Sequence, residues 1–383
     1  MAKLEDRSGE VVGQRYELQE IVGRGGQGTV YRASDRWMQR AVAVKILGTK
    51  ALREPHAVER LMREQQAMST LKGTAAVELF DLFRGEAGEL CLVMEFLKGM
   101  DLDDYLFTIE LHDGRIPLER VLSIFEPIVH TLETAHAEGI LHRDLKPANI
   151  FLLEGGGVRL LDFGLARLKQ SMPLTAPGTV MGSPSFMAPE AWQGISDLMD
   201  ARVDVYSLGV VLFRVLAGKL PFAGTSMQEK FRAAISSERP SLRKHRSELP
   251  PAIDDWTLHA LALDREQRFA NVRALWSAFV AALGLERPRS ASPLSFWVAA
   301  KGALQKLVAG SVAEEEPAFA REAAARSAYR RSSVPEATIQ LGDSDLHPVP
   351  PPLRPAPAEP AEPTMLVVDA ELLIDSRPGA KAD

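Results

Sequence analysis

The chain has 383 residues, 46% of them apolar and 25% charged, which is the profile of a soluble globular protein long enough for more than one domain. A net charge of −6 leaves no basic footprint for nucleic acid, and a single cysteine, Cys91, excludes an intrachain disulfide and fits a reducing cytosol. Residues 1–10 have no apolar core, so no secretory signal is expected, and the longest apolar stretches (203–217 and 296–313) are each broken by two charges, short of the roughly 20 residues a membrane span needs.

Residues 16–47 alternate as strands do, interrupted by V-G-R-G-G-Q-G-T-V, in which Gly23, Gly25 and Gly28 fit G-x-G-x-x-G. Dinucleotide-binding folds share this pattern, but there the glycines open a helix. Here Thr29, Val30 and Tyr31 favour a second strand. A glycine turn between strands lets backbone N–H groups approach phosphates, since no Cβ stands in the way; the same sequence also suits a hairpin without a ligand. Lys45, in V-A-V-K-I-L, is a charge within an apolar strand and needs a partner. Residues 57–71 are helical by period, with Val58, Leu61, Met68 and Leu71 on one face, and Glu64 shares that face. A Lys45–Glu64 ion pair is expected to hold the lysine against phosphate oxygens; the alternative is that Glu64 makes only local helix pairs with Arg60 or Arg63.

Residues 77–83 and 90–97 read as two further strands. The second ends in M-E-F-L-K-G, where a mainly β half gives way to a mainly α half. A flat heterocycle would sit at this hinge, with Met94 at its back and the backbone of Glu95 to Leu97 offering hydrogen bonds, unless Met94 is only a core gap-filler. An amphipathic helix over 117–139, with Gly139 as its C-cap, then delivers the chain to L-H-R-D-L-K-P-A-N-I-F at 141–151. There Asp144, Lys146 and Asn149 are an acceptor, a positive charge and a metal-seeking oxygen in an apolar setting. Phosphoryl transfer requires such a set at one point, while a turn in which Asp144 and Asn149 bond nearby backbone is the plainer reading. A hairpin over 151–161 leads to Asp162-Phe163-Gly164, where a carboxylate at a strand end suits Mg²⁺, or simply a turn before glycine.

Between 164 and 188 periodicity is lost and Ser171, Thr175, Thr179, Ser183 and Ser185 appear, a length of polar loop that signals a functional or switchable segment. Glu190 follows a proline in apolar surroundings and needs a buried cation; Arg268 is its candidate. Helices are expected over 204–217, 227–236, 253–263 and 272–283.

Taken together, these motifs occur in the order found in protein kinases, and over 16–285 the chain resembles that family, most closely its bacterial, eukaryotic-like serine/threonine branch. The resemblance implies an α+β, two-lobed fold: a small, mainly antiparallel β lobe with one regulatory helix (16–97) and a larger, mainly α lobe (98–285). It implies ATP as cofactor with Mg²⁺, or Mn²⁺ in its place. Val22, Gly23, Gly25 and Gly28 look like the loop over the phosphates, and Lys45 with Glu64 like the phosphate-holding pair. Val30, Ala43 and Phe151 would enclose the adenine, Met94 would be gatekeeper, and Glu95 and Leu97 the hinge contacts. Asp144 resembles the catalytic base, Lys146 the γ-phosphate lysine, Asn149 and Asp162 the metal ligands, Glu190 and Arg268 the structural pair of the large lobe, and Asp204 the catalytic-loop anchor.

The spacing of Lys146 from Asp144 and the run Gly182-Ser183-Pro184-Ser185-Phe186 resemble the branch that takes serine and threonine hydroxyls of protein substrates. Arg143 ahead of Asp144 implies control by loop phosphorylation, with Thr179 the first candidate and Thr175 the second. Two features depart from the family pattern: Ser183 stands for the usual threonine, and G-T-A-A at 73–76 replaces the usual segment after the regulatory helix. The competing classes are a catalytically silent scaffold on the same fold, which should lack a lysine, base or metal ligand, and a dinucleotide-binding oxidoreductase, which fails on the strand after Gly28.

Residues 1–15 read as an N-terminal extension and 286–331 as a helical extension. From 332 to 383 proline, alanine and acidic residues dominate, as expected of a disordered tail. Within it P-E-A-T-I-Q-L-G-D-S-D around Thr338 and A-E-P-T-M-L-V-V-D-A-E around Thr364 echo each other. The echo suggests autophosphorylation sites or motifs for a phosphothreonine-binding partner, or a coincidence of biased composition. A cytoplasmic enzyme without a transmembrane segment is the expectation.

Overall fold

The computed structural model describes residues 6–25, 28–47, 68–86, 88–112, 114–163, 184–192 and 199–285. Glu64 and most of the expected 57–71 helix, the loop threonines Thr175 and Thr179, Ser183, the 286–331 segment and the tail with Thr338 and Thr364 lie outside them.

The small lobe is an antiparallel sheet in the order β1-β2-β3-β4-β6-β5, formed by Val11–Val12, Tyr16–Gly25, Gly28–Asp35, Arg40–Leu47, Leu90–Glu95 and Leu79–Arg84 respectively. In β3 buried and half-buried residues alternate without a break, the signature of a strand with one face in a core. That core contains Tyr16, Leu18, Tyr31, Ala33, Val42 and Val44. β4 is buried from Val42 to Leu47, as its continuous apolar run requires. Gly28 faces Leu47 across the β3–β4 ladder with φ of 144°, and a Cβ there would come within 2.0 Å of the Ile46 carbonyl oxygen, so only glycine fits. The described part of the 1–15 stretch is not free of the sheet: β1 pairs with β2, and Arg7 bonds Glu89 at 2.6 Å.

Two elements carry the large lobe. Helix α2 (Leu118–Ala137), which follows α1 (Leu102–Glu110), buries ten residues on one face. After the short helix α3 (Pro189–Trp192), helix α4 (Arg202–Ala217) is buried almost all round and ends at Gly218 with φ of 72°, a left-handed cap. Gly209 lets α4 lie close to α6 (Ala252–Ala260), because a Cβ there would meet that of Ala260 at 3.1 Å. Helices α5 (Met227–Ser236) and α7 (Val272–Ala282) complete the bundle; Trp276, Phe279 and Phe125 fill the space between α7 and α2. Each such side chain contributes about 2 kcal/mol of burial.

Between the lobes lies a second antiparallel sheet, β7-β8-β9 (Gly99–Asp101, Ile150–Leu153 and Val158–Leu160). The chain entering the small lobe is stitched to it in both directions, Leu160 N–H to the Ala75 carbonyl at 2.7 Å and Val77 N–H to the Leu160 carbonyl at 3.0 Å. The unusual G-T-A-A segment is anchored here. Ala75 and Ala76 are buried, and Ala75 N–H bonds the Thr131 hydroxyl of α2 at 2.9 Å.

Candidate active site

Strand register places the roof of a cleft. Val30 pairs with Lys45, Lys45 with Leu92, and Ala43 with Met94, so these side chains share one face of the small-lobe sheet. Gly23 and Gly25 end β2 above them, and Val22 precedes them on the same strand. The floor is the partly buried row Asp101, Phe151 and Arg159, side by side across β7, β8 and β9. The alternate residues Ile150, Leu152, Val158 and Leu160 face the large-lobe core. Glu95 ends β6 at the back of the cleft, and Leu97 follows in the connector.

An ion pair joins the roof to the segment after the floor: Lys45 Nζ lies 2.6 Å from Asp162 Oδ1. Lys45 is buried and must be paired; the expected partner Glu64 lies outside the described residues, and among the described residues Asp162 pairs with it. Asp162 adopts φ of 59°, a left-handed conformation that is costly without glycine and is a mark of functional positions.

The loop 142–149 brings the other candidates together. Lys146 Nζ lies 3.1 Å from Asp144 Oδ2. A 3-10 turn over Pro147–Asn149 swings Asn149 back, so that its Nδ2 donates to the Asp144 carbonyl at 2.7 Å. With the nitrogen committed there, the amide oxygen of Asn149 is the atom that can face a cation. Leu161 N–H donates to the Asn149 carbonyl at 2.8 Å and so sets Asp162 beside this loop.

The loop hangs from α4. The buried Asp204 carboxylate accepts His142 N–H and Arg143 N–H, one on each oxygen at 2.8 Å, and His136 Nε2 at 2.8 Å. Burial works against this carboxylate, but the hydrogen bonds from His136 and from Arg143 N–H outweigh it and hold Asp204 below the usual carboxylate range. Arg143, gripped in this way, has φ of 62°. His142 is fully buried and its pKa is lowered by that burial, against the pull of Asp204 and Asp144. Its two partners fix the neutral tautomer. Nε2 faces the Leu161 carbonyl at 2.9 Å and must carry the proton, while Nδ1 accepts Asp144 N–H at 3.3 Å. Its ring meets Phe163 edge-on at 4.7 Å.

Below, the expected Glu190–Arg268 pair forms with two bonds, at 2.6 and 2.9 Å. Three features escaped sequence reasoning. These are the Asp204 contact of His136, the capping of α1 by Asp101, and the bond from Arg159 to Glu95. The second is a local N-cap, the Asp101 side chain accepting Asp104 N–H, while the third joins β6 of the small-lobe sheet to β9 of the second sheet, which spacing alone does not reveal.

A family model described as the protein kinase domain matches residues 16–280. The chain belongs to the protein kinase family. Among curated relatives, it is 31% identical over 280 residues to the serine/threonine-protein kinase PrkC of Bacillus subtilis, covering 73% of this chain and 42% of that protein. It is 36% identical over 269 residues to PknB of Mycolicibacterium smegmatis (68% and 42%), and 31% identical over 370 residues to Pkn1 of Myxococcus xanthus (95% and 50%). The kinase chain thus spans half or less of the length of these relatives. The kinase domain of Mycobacterium tuberculosis PknI superposes with a TM-score of 0.59 at 24% identity, over 73% of this chain and all of that one, which confirms the two-lobed kinase fold.

Candidate metal ligands in this kinase are few. Among the described residues no three His, Cys, Asp or Glu side chains cluster as a preformed metal site. The donors available are the Asp162 carboxylate and the Asn149 amide oxygen, a set that suits Mg²⁺, which keeps waters and takes substrate phosphates rather than an all-protein cage. No helix among the described residues is long and apolar enough to cross a membrane.

Proposed function

We propose that the chain is an ATP-dependent protein serine/threonine kinase that transfers the γ-phosphoryl group to serine and threonine hydroxyls of protein substrates. The observation that carries this reading is that two ion pairs, Lys45–Asp162 at 2.6 Å and Lys146–Asp144 at 3.1 Å, are set beside each other by Asn149, whose Nδ2 donates to the Asp144 carbonyl and whose carbonyl accepts Leu161 N–H. Not one of the charged groups a silent scaffold would have lost is missing from the sequence.

In this reading adenine lies between Val30 and Ala43 above and Phe151 below, against the backbone of Glu95 to Leu97 and short of Met94. Gly23, Gly25 and Gly28 offer backbone N–H groups to the phosphates, and Lys45 binds the α- and β-phosphates, tied to Glu64. Asp162 and Asn149 hold Mg²⁺, or Mn²⁺ in its place, which when bound neutralises charge on the phosphates. Asp144 orients the substrate hydroxyl and accepts its proton, and Lys146, already beside Asp144, balances charge on the transferred group. Neutral His142 donates to Leu161 and receives from Asp144 N–H, so it takes no proton in the reaction and instead fixes the loop.

The activation segment, with Thr179 first and Thr175 second, and the tail threonines Thr338 and Thr364 are the proposed autophosphorylation sites. The paired tail motif is the proposed docking point for a phosphothreonine-binding partner, and the cytoplasm the proposed site of action. Incubation of the full chain with labelled ATP and Mg²⁺, followed by phosphoamino-acid analysis and site mapping, tests this: phosphothreonine and phosphoserine are expected. Label on tyrosine alone, or none, overturns the reading. Label confined to other residues removes the assignments to Thr179, Thr175, Thr338 and Thr364.

A further inference from the structure

The hinge is gripped by an arginine from each lobe, and neither grip belongs to the chemistry just described. From the small lobe, the Arg32 guanidinium lies over the Phe96 ring at 5.3 Å. From the large lobe, Arg159 Nε donates to Glu95 Oε1 at 2.7 Å. The same carboxylate oxygen accepts Glu78 N–H at 2.9 Å, and Glu95 N–H returns a bond to the Glu78 carbonyl at 2.9 Å. The arginine is itself held in place, since its Nη1 donates to the Val158 carbonyl at 3.2 Å.

Three chain segments therefore meet at one carboxylate: the entry to β5, the hinge end of β6, and β9. The pair is only partly exposed, 32% for the arginine and 22% for the glutamate side chain, so water screens it incompletely. Its position matters more than its energy. Arg159 stands in register beside Phe151, the proposed adenine floor, and three residues before Asp162. Glu95 opens the hinge backbone that would face the adenine edge, and a side chain tied at its tip restricts the φ and ψ of the residue carrying it.

We propose that Arg159 is a positioning residue for the nucleotide: through Glu95 it fixes the hinge backbone relative to the Phe151 floor, so that the adenine slot is set before ATP arrives. The proposal rests on the kinase reading above. Its energetic logic is preorganisation, in which ordering done in advance is not charged against binding. The role is confined to binding, because neither Arg159 nor the Glu95 carboxylate touches Asp144, Lys146 or Asn149 among the contacts described.

The test measures MgATP affinity by equilibrium titration of the full chain, separately from turnover of a threonine peptide. Arg159→Ala is expected to weaken MgATP binding and raise its KM by about five-fold while kcat stays within about two-fold, the effect of losing one partly exposed, partly solvent-screened ion pair. Glu95→Gln is expected to behave similarly, and the double variant to be no weaker than the worse single one, since the two share one interaction. Arg159→Lys, which can reach Glu95 but not Glu95 and Val158 together, is expected to restore part of the affinity. Wild-type affinity in Arg159→Ala, strictly additive losses, or a raised kcat at unchanged affinity would each overturn the proposal, the last because it describes a brake on closure. If the wild type binds MgATP with this dependence yet transfers no phosphate, the kinase reading fails and the positioning role stands.

Discussion

Replacing Asp204 by asparagine changes one atom and should dismantle the loop that carries Asp144. The carboxylate accepts on both oxygens, Arg143 N–H on one and His142 N–H with His136 Nε2 on the other. An asparagine can accept on one side only, so either orientation points an NH₂ group at a backbone N–H in a site without solvent. Each charge-assisted bond is worth about 1.5 to 3 kcal/mol, and a buried donor left unmatched costs a similar amount, so a loss of about 3 kcal/mol is expected out of a total of about 5 to 15. Function should suffer more than stability. Arg143 sits at φ of 62° because Asp204 holds it there, and when released it relaxes and carries Asp144 with it. A displacement of about 1 Å at a reacting group costs about 100-fold in rate. The expected result is a kcat for peptide phosphorylation down by about 100-fold, with KM for ATP within about three-fold, since the roof of the cleft does not touch Asp204. A folded Asp204→Asn protein with kcat within about five-fold of wild type would refute the reasoning.

Removing the guanidinium in Arg268→Ala strands the Glu190 carboxylate and frees the Ala262 and Leu263 carbonyls it bonds at 2.8 and 3.1 Å, which should cost about 4 kcal/mol in denaturant titration. Arg268→Lys should not recover this, because an ammonium cannot replace a fork that serves Glu190 in two places; recovery to within about 1 kcal/mol would contradict the account. Burial pushes the Asp101 carboxyl up to about 6, despite the bond it accepts from Asp104 N–H. The folded state is therefore progressively disfavoured as pH rises from about 4, where the unfolded chain ionises, to about 6. Asp101→Asn, which keeps an N-cap acceptor without the charge, should gain about 1 to 2 kcal/mol at pH 8 and nothing at pH 4; an equal effect at both pH values would show that burial is not the cause.

The sequence reveals those parts of the site that depend on local period or on a demand a buried group makes by itself. Alternation along β3 and the glycines before it are such features, and so is the buried Glu190, whose need for a cation leads to Arg268. Helix ends are less legible. The apolar pattern of 253–263 continues past the end of α6 at Ala260; beyond it the Leu261 carbonyl is taken by Arg239 and those of Ala262 and Leu263 by Arg268, contacts from distant residues that no local pattern announces. What depends on the pairing of distant strands was illegible. Lys45 and Asp162 are 117 residues apart, and Glu95 and Arg159 64 apart. No periodicity within either segment predicts such meetings; they follow from the register of two sheets and the angle at which the hinge joins them. His136 was missed for a related reason, since its ring serves a carboxylate one helix away rather than its own face.

The central claim is that this cleft transfers phosphate through Asp144 and Lys45. Its most direct test is the rate of γ-phosphate transfer from labelled ATP to a threonine peptide by wild type, Asp144→Asn and Lys45→Met, each shown to be folded. Transfer by the wild type and a loss of at least about 100-fold in both variants is the predicted result. Equal transfer in all three would contradict it.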